Sequence, residues 1–371
     1  MKSNKIRIML VGSGSGGPVA PVLAVARKIR QEHPGAAFVL VGTEHGPARA
    51  MAAEAGIDFA AIPAGKLRRY FSWQNFAAPV QVVAGFLRAL GLIRRFKPDV
   101  VFGAGGYACV PVMFAAFCLR KKIVIHQQDV VPTLTNKILA PFADKITVSF
   151  EQSLKDFLTE SGLTGFGRSH KVVWTGNPFD ETMLVEPGRE DLLRLRRQYG
   201  LDEEIPVLLI FGGGTGAAGL NALILEALPD LTRFAYVFHG TGAGKRINFE
   251  HPRYIQYELI PNIAEKYAMA DLVVCRAGLS TITELSILKK VSIVIPMPDS
   301  HQIENALMLK YSDAALVLNQ DYLNAEELVS IIRKLMYDIE LQNSLRQNIG
   351  KIMPRGATHK IAQIILELCP K

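Results

Sequence analysis

The sequence lacks the motifs of several familiar protein classes. Its four cysteines, Cys109, Cys118, Cys275 and Cys369, include no C-x-x-C pair, which is a common spacing in zinc sites. We therefore expect buried thiols in a reducing compartment, with no disulfide framework and no zinc site. No G-x-x-x-x-G-K-[ST], H-E-x-x-H or D-x-D motif occurs either, which argues against a P-loop nucleotidase and against a dedicated metal site. We expect no metal and no cofactor.

Long apolar runs and a leader segment are also missing. No stretch reaches the roughly 18 uninterrupted apolar residues of a membrane span. The opening "MKSNKIRIMLVG" enters a strand pattern without the apolar core of a signal peptide, so a cytosolic protein is expected. Lys and Arg number 42 against 34 Asp and Glu, a net charge of +8. This excess fits an anionic partner: a nucleic acid, a phosphorylated small molecule or an acidic membrane surface.

What the sequence does contain is a regular alternation of apolar runs and amphipathic segments. Runs such as "IRIMLVG", "DVVFGAG" and "KIVIHQ" occupy the first half. The same alternation begins again near residue 205 with "VLLIFGGG" and "DLVVCRAG". Continuous apolar strands separated by helices predict parallel sheets that are covered on both faces. We predict an α/β fold of two Rossmann-like domains facing an interdomain cleft, at residues 1–165 and 205–350, with a boundary and linker at 166–204.

Four glycine-rich loops follow predicted strands, at residues 12–17, 103–106, 212–216 and 240–244. Glycine lets backbone N–H groups approach an anion, and a following helix adds the positive end of its dipole. The loops therefore predict binding of phosphate groups. A nicotinamide site is the first rival, but the acidic residue expected after the second strand is represented only by Glu44, which stands just beyond that strand.

The stretch "DLVVCRAGLSTITELSIL" carries the most chemistry in the second half. It predicts a strand ending near Cys275 and a helix beginning near Ser280 or Thr281. Glu284 has two interpretations: it completes a capping box with Thr281, or it accepts hydrogen bonds from two ribose hydroxyls. Farther on, Gln302 and Asn305 share a helix face, where they either bind sugar hydroxyls or form an ordinary polar surface.

In their order along the chain, these segments resemble the MurG family of glycosyltransferases, glycosyltransferase family 28. The resemblance rests on "GSGSGGPVAPVLAVA", "VFGAGGYACVPV", "LLIFGGGTGAAGLN", "ELIPNIAEKYAMADLVVCRAGLSTITEL" and "PDSHQIENAL". It implies the GT-B fold and an inverting transfer of N-acetylglucosamine from UDP-GlcNAc to undecaprenyl-diphosphate-linked N-acetylmuramoyl-pentapeptide, a step of peptidoglycan biosynthesis. It also implies that residues 351–371 return as a helix to the N-terminal domain.

The resemblance further implies the position of each substrate. The C-terminal domain would bind UDP-GlcNAc, and the N-terminal domain would bind the polyprenyl-diphosphate-linked acceptor at an anionic membrane surface, with no nucleic acid involved. The protein would lie peripherally on the cytoplasmic face of the cell membrane. The donor residues carried over are Gly214, Thr215, Ile260, Leu279, Ser280, Thr281, Glu284, Gln302 and Asn305. The acceptor residues carried over are Ser15, Gly16, Gly17, Gly105, Gly106 and Tyr107.

Several positions depart from the family pattern. Pro18 replaces a histidine, Gln127 an acidic residue, Asp129 an asparagine, Asp180 an arginine and His301 a glutamine. These departures affect the catalytic base and the identity of the sugar and acceptor more than nucleotide binding. They keep three alternatives open: a related transferase with another sugar or lipid, a nucleotide-sugar-binding homologue without catalysis, and an epimerase of the same fold.

An inverting transfer needs a base near the acceptor hydroxyl. We predict Asp129 for this role, at the end of the "KIVIHQ" strand, with His126 as the second candidate; the alternative for both is hydrogen bonding at the strand end. Pro18 fits the first position of a helix, where a missing N–H costs nothing.

A lipid-linked acceptor also needs an element that contacts the membrane. The segment at residues 65–97 interleaves aromatic and basic side chains, as interfacial elements on anionic lipid do. The helix from about Phe76 has core spacing as well, so its apolar stripe is either buried or lipid-facing. The basic and aromatic residues concerned are Lys66, Arg68, Arg69, Arg94, Arg95, Tyr70, Phe71, Trp73, Phe76 and Phe86.

Overall fold

The computed structural model describes two compact units. It describes residues 5–14, 16–65, 74–158, 171–179, 187–213 and 216–370, with the backbone alone at 74–78 and 158. The first unit combines Met1–Asp180 with Pro354–Lys371, and the second unit is Glu181–Met353. The chain therefore enters and leaves the second unit once each.

The first unit is built on a parallel sheet of seven strands. The sheet order is β3-β2-β1-β4-β5-β6-β7. The strands are β1 Arg7–Val11, β2 Ala37–Gly42, β3 Asp58–Ala61, β4 Val100–Gly103, β5 Lys122–Gln127, β6 Lys145–Val148 and β7 Val172–Trp174. The helices between them are α1 Val19–Glu32, α2 Ala48–Glu54, α3 Gln74–Phe96, α4 Cys109–Cys118, α5 Leu134–Leu139 and α6 Leu154–Leu158, with short 3₁₀ turns at Ala140–Phe142 and Glu151–Ser153.

Both faces of this sheet are buried. Met9 and Val101 point into a core shared with α3 and α4, whereas Leu10 and Phe102 point into a second core on the opposite face, shared with α1. Because neighbouring residues of a central strand enter different cores, its inner positions are apolar in succession. This explains the continuous hydrophobic runs in the sequence.

The second unit repeats the plan with six parallel strands in the order β10-β9-β8-β11-β12-β13. The strands are β8 Val207–Phe211, β9 Tyr236–Gly240, β10 Tyr254–Tyr257, β11 Leu272–Cys275, β12 Ser292–Val294 and β13 Leu316–Val317. The helices are α7 Arg189–Gln198, α8 Ala218–Leu231, α9 Ile263–Met269, α10 Leu279–Leu288, α11 Gln302–Tyr311, α12 Ala325–Tyr337 and α13 Ile339–Ile352, with a 3₁₀ turn at Gln320–Tyr322. The prediction of two Rossmann-like α/β units is confirmed.

The last helix, α14 Ala357–Glu367, belongs to the first unit. Ile361 and Ile365 are fully buried in the core that contains α1. The Thr358 hydroxyl donates to the carbonyl oxygen of Phe179 and accepts from the backbone N–H of the same residue at 2.9 Å. The helix is thus held both by apolar packing and by a two-way hydrogen bond to the end of the first unit's first segment.

Two sequence-based expectations about simple features have mixed outcomes. All four cysteines are free, and Cys109 and Cys275 are buried as expected. The expectation of burial was wrong for Cys118, which is exposed because it lies at the last position of α4, where the helix reaches the surface. Among the helices in the described part of the chain, none combines the length and apolarity needed to cross a membrane.

We predict that Ile361→Ala destabilises the first unit by about 2–5 kcal/mol, because it leaves a cavity in the core between α14 and α1. Urea unfolding followed by tryptophan emission measures this, since both tryptophans, Trp73 and Trp174, fall within the first unit's sequence range. Gln363→Ala, at an exposed position of the same helix, is the control and should cost less than about 0.5 kcal/mol. An unchanged tryptophan transition in Ile361→Ala would contradict the assigned packing of α14.

Candidate functional site

In each unit, the loops that carry the sequence motifs leave the sheet at the same edge. The strands of each sheet are all parallel, so their carboxyl ends lie side by side. Ligands of open α/β sheets bind at this edge.

In the first unit, the loops after β1 and β4 are joined by Ser13. The Ser13 hydroxyl, which is buried, accepts a hydrogen bond from the backbone N–H of Ala108 at 3.0 Å. Gly106 has a φ of +87°, and a Cβ atom there would lie 2.7 Å from Ser13 Oγ. Only glycine fits at such a close approach. Ser13 was not predicted from the sequence. The one feature that could have indicated it is its position as a small polar residue two places after the end of β1.

The predicted acceptor residues lie on these two loops. Gly16 and Gly17 precede α1, and Gly105 and Gly106 precede α4. Tyr107 is half-buried, with its hydroxyl 3.5 Å from Thr43 Oγ1 on the loop after β2. Ser15 lies outside the described residues.

Pro18 stands immediately before α1, one position earlier than the first helical position predicted for it. Its φ of −72° is already helical, and the carbonyl oxygen of Gly16 accepts from the N–H groups of both Val19 and Ala20 at 3.0 Å. The missing N–H of proline therefore leaves no hydrogen bond of the helix unmade.

His126, the second base candidate, is enclosed within the first unit. Its Nδ1 atom lies 2.9 Å from Thr147 Oγ1 and its Nε2 atom 3.1 Å from Ser149 Oγ, and the side chain has no exposed surface. Burial lowers the pKa of His126 to about 3, only partly offset by a hydrogen bond with Asn177. A general base must reach the proton that it removes. The arrangement instead suits a neutral ring that fixes β5 against β6.

Asp129 lies in the loop that follows β5, and the preceding glutamine shapes that loop. Gln127 is buried, and its amide nitrogen donates to the carbonyl oxygens of Asp129 and Val131 at 2.8 and 3.1 Å. Its amide oxygen accepts from Asn136 Nδ2 at 2.7 Å. Asp129 itself is half-buried. These hydrogen bonds to backbone carbonyls hold Asp129 at the carboxyl edge of the sheet.

Among the described carboxyl groups of the second unit, that of Glu284 has a strongly raised pKa. It is half-buried on α10 and accepts a hydrogen bond of 2.6 Å from the hydroxyl of Tyr267, which is itself fully buried. Burial raises the pKa of Glu284 to about 7, against the opposing effect of the tyrosine hydrogen bond. No motif or spacing indicates Tyr267, because it lies on α9 and contacts Glu284 only through the tertiary fold.

The start of α10 differs from the capping-box alternative. The helix begins at Leu279, with Gly278 before it and no side chain capping its first turn. The capping interpretation of Glu284 is therefore wrong, since its carboxylate bonds Tyr267. Leu279 and Thr281 are buried and Ser280 is exposed. The N–H groups of this first turn have no acceptor within the helix, so they can bind an anion.

Ile260 packs on the end of β9. A Cβ atom added to Gly240 would lie 2.7 Å from Ile260 Cδ1, so the isoleucine occupies the space that glycine leaves. Glu258, two residues earlier, accepts from the N–H of Gly244 at 2.9 Å. These contacts hold the "ELIPN" segment at the carboxyl edge. Gly214 and Thr215 lie outside the described residues.

The two predicted sugar residues differ in exposure. Gln302, the first residue of α11, is half-buried and its amide oxygen accepts from the N–H of Met297 at 3.1 Å. Asn305 has no exposed surface, and its amide nitrogen donates to the carbonyl oxygen of Ala277 at 3.2 Å. His301, immediately before α11, is exposed. Asn305 therefore joins α11 to the loop that precedes α10.

Helix α3 of the first unit carries two apolar faces. Ala89 and Ile93 are buried in the core, whereas Val80, Val83 and Leu87 on the other side are 71%, 59% and 61% exposed. One face of the helix is therefore buried in the core, and the other presents apolar side chains to solvent.

Exposed basic side chains lie on α3 together with its exposed apolar residues. Arg88, Arg94 and Arg95 are exposed on the same helix. Phe117 on α4, which packs against α3, is 51% exposed. The segment at residues 66–73, and with it Trp73, lies outside the described residues.

No metal centre is found in the described ranges, where no group of three or more His, Cys, Asp and Glu side chains is arranged to hold an ion. The polar groups at both carboxyl edges are instead backbone amides, hydroxyls, side-chain amides and single carboxylates. Such a set suits a sugar linked to a phosphate better than a coordinated cation.

Comparison with known proteins gives matches over both units. The model of the glycosyltransferase family 28 N-terminal domain matches residues 8–148, and that of the family 28 C-terminal domain matches residues 207–360. Two relatives are named UDP-N-acetylglucosamine--N-acetylmuramyl-(pentapeptide) pyrophosphoryl-undecaprenol N-acetylglucosamine transferase. That of Pediococcus pentosaceus is 33% identical over 95% of this chain and 97% of its own length. That of Bacillus cytotoxicus is 32% identical over 99% of this chain and 100% of its own length.

Solved structures share the fold. The crystal structure of Acinetobacter baumannii MurG has a TM-score of 0.75 and 24% identity, covering 98% of this chain and 99% of that chain. A UDP-N-acetylglucosamine 2-epimerase structure has a TM-score of 0.66 and 14% identity, covering 98% and 96%. At these identities the likeness concerns the fold alone, and the GT-B architecture is common to transferases and epimerases.

Proposed function

Because the chain belongs to glycosyltransferase family 28, in the MurG family, we propose that it transfers N-acetylglucosamine from UDP-GlcNAc to undecaprenyl-diphosphate-linked N-acetylmuramoyl-pentapeptide. The relatives that carry this activity in their names align over nearly the whole chain. The observation that carries the proposal is the half-buried Glu284 carboxylate, held by Tyr267 beside the open first turn of α10. An anion-binding helix start with a carboxylate one turn along suits a nucleoside diphosphate.

For the donor, we assign each group by its chemistry. Glu284 accepts from the ribose hydroxyls, and the first-turn amides of α10 with Ser280 and Thr281 bind the diphosphate. The segment around Ile260 reads the uracil through its backbone, and Gln302 bonds the sugar. Asn305 acts by holding Ala277 in place, because its amide is buried. The loop with Gly214 and Thr215 completes the diphosphate site.

For the acceptor, the loops that Ser13 joins bind the lipid diphosphate, and Asp129 is the general base. The acceptor hydroxyl gives its proton to Asp129, and its oxygen forms a bond to the anomeric carbon of the donor. The bond between that carbon and the UDP oxygen breaks at the same time, with inversion. The negative charge that then develops on UDP is stabilised by backbone amides.

The membrane supplies the acceptor, so we propose that the exposed face of α3 rests on an anionic bilayer at the cytoplasmic side. Val80, Val83 and Leu87 would enter the interface, while Arg88 and Arg95 contact lipid headgroups. Basic residues beside an apolar stripe give this kind of peripheral binding.

The activity is tested by UDP release from UDP-GlcNAc on addition of a short-chain lipid acceptor. Release that depends on the acceptor supports the transferase. Binding of UDP-GlcNAc without release would identify a nucleotide-sugar-binding homologue. Isomerisation of the sugar in the absence of acceptor would identify an epimerase.

We predict that Asp129→Asn lowers kcat by about 100-fold or more, because it removes the proton acceptor, while the Kd for UDP-GlcNAc stays within about twofold since the donor groups belong to the other unit. Steady-state kinetics and calorimetry measure the two quantities. Asp156→Asn makes the same charge change at an exposed position of α6 and should leave both unchanged. An unaltered kcat in Asp129→Asn would remove this residue from the mechanism.

We also predict that UDP-GlcNAc binds more tightly as pH rises. Glu284 has a pKa of about 7 in the free protein, and only its carboxylate accepts from both ribose hydroxyls. Protonated molecules must lose the proton on binding, so affinity should be about tenfold weaker at pH 6 than at pH 8. Calorimetry in buffers of different ionisation enthalpy measures both the affinity and the released proton.

Two variants control this pH dependence. Glu284→Gln should abolish it, and Tyr267→Phe should move its midpoint to higher pH, since the lost hydrogen bond stabilises the carboxylate. A wild-type affinity that is equal at pH 6 and pH 8 would exclude Glu284 as the ribose acceptor.

We predict that Val83→Ser with Leu87→Ser lowers sedimentation with vesicles of phosphatidylcholine and phosphatidylglycerol several-fold, because two apolar side chains no longer enter the bilayer. Ile339→Ser, at an equally exposed apolar position of the second unit, should leave sedimentation unchanged. Equal loss in both variants, or no loss in either, would count against α3 as the membrane face.

A further inference from the structure

Arg276 is a buried cation that has no role in the proposed reaction as described above. It follows the last residue of β11 and is only 6% exposed. Its Nη1 atom donates to the carbonyl oxygens of Ile295 and Pro296 at 3.0 and 2.8 Å. Its Nη2 atom donates to the side-chain oxygen of Gln320. One guanidinium therefore joins the carboxyl ends of β11, β12 and β13.

The charge of Arg276 is not balanced within the described part of the second unit. Its three acceptors are neutral oxygens, its Nε atom has no hydrogen-bond partner, and no described carboxylate forms an ion pair with it. Burial lowers the pKa of Arg276, but a guanidinium stays charged at neutral pH. A buried charge without a counterion is unfavourable, so an arriving anion is attracted to this position.

The groups around Arg276 are those proposed to bind the donor. Gly278, two residues later, precedes the open first turn of α10. The segment after Pro296 leads to Gln302. On the other side, a Cβ atom added to Gly219 would lie 2.7 Å from Gln320 Nε2, so Gln320 also contacts the first turn of α8. Arg276 is thus joined to the loops after β11 and β12 and, through Gln320, to the first turn of α8.

We propose that Arg276 is a positioning residue whose uncompensated charge strengthens binding of the donor's diphosphate and stabilises UDP as it leaves. Arg276 does not contact the substrate. Its positive electrostatic potential adds to that of the backbone amides that bind the diphosphate. This inference rests on the proposed donor site. It differs from a purely structural role because it concerns the phosphates alone and leaves the uridine unaffected.

Gln320→Glu is the sharpest test, because it places a carboxylate on Arg276 without changing the shape of the side chain. The new ion pair should keep the fold intact while cancelling the free charge. We expect the Kd for UDP to rise about five- to tenfold, because this is the order of effect of removing one unit charge near a partly screened diphosphate. The Kd for uridine should stay unchanged within twofold. Gln320→Met removes the hydrogen bond but keeps the charge, and its UDP-to-uridine affinity ratio should match the wild type.

Calorimetry with UDP and uridine, with circular dichroism as the folding check, distinguishes the outcomes. Equal weakening of UDP and uridine in Gln320→Glu, or no weakening of UDP, would overturn the inference, although wild-type binding of UDP-GlcNAc would leave the proposed function standing. A wild-type protein that binds neither UDP nor UDP-GlcNAc would overturn both.

If Gln320→Glu does not fold, Arg276→Lys and Arg276→Met provide the same comparison. The lysine variant keeps the charge, and its UDP-to-uridine ratio should stay within twofold of the wild type. The methionine variant loses the charge, and its ratio should fall about five- to tenfold. Equal ratios in these two variants would also overturn the inference.

Discussion

The parallel arrangement of the strands is the constraint on which the structure depends. Because the central strands are buried along their whole length, they offer no exposed side-chain position for chemistry, and the polar groups follow the strands. Ser13, Asp129 and Arg276 each lie just beyond a strand's carboxyl end. Parallel pairing collects these ends at one edge. Burial of the sheets and concentration of the polar groups are therefore two results of one arrangement.

The electrostatics of the second unit follow from the same constraint. Helix α10 starts shortly after a buried strand, so Glu284, in its second turn, is partly removed from water. Its pKa of about 7 is the result of that position, moderated by the Tyr267 hydroxyl. Arg276, at the end of the same strand, is buried more completely and carries the opposite charge. The short connection from β11 to α10 thus places Glu284, with its raised pKa, and Arg276, without a counterion among the described residues, close together along the chain.

The sequence was sufficient for the features that repeat with a period or depend on backbone conformation. Apolar runs predicted the strands, and Gly106, with its positive φ, stands where a loop was expected. Features that depend on contacts between distant residues could not be predicted. The hydroxyls that enclose His126 come from β6 and beyond, and Tyr267 reaches Glu284 from another helix. The capping box failed for the same reason, since a local spacing rule cannot anticipate a stronger tertiary partner.

The placement of α14 has a consequence for how the chain is made. During translation the first unit's strands emerge early, but the helix that covers the apolar side of α1 comes only after the whole second unit. At about 5–20 residues per second, the ribosome takes roughly 10–35 seconds over that interval. The core that α1 shares with Ile361 and Ile365 stays incomplete for that time. The nascent chain therefore exposes apolar surface that chaperones can bind until α14 leaves the exit tunnel.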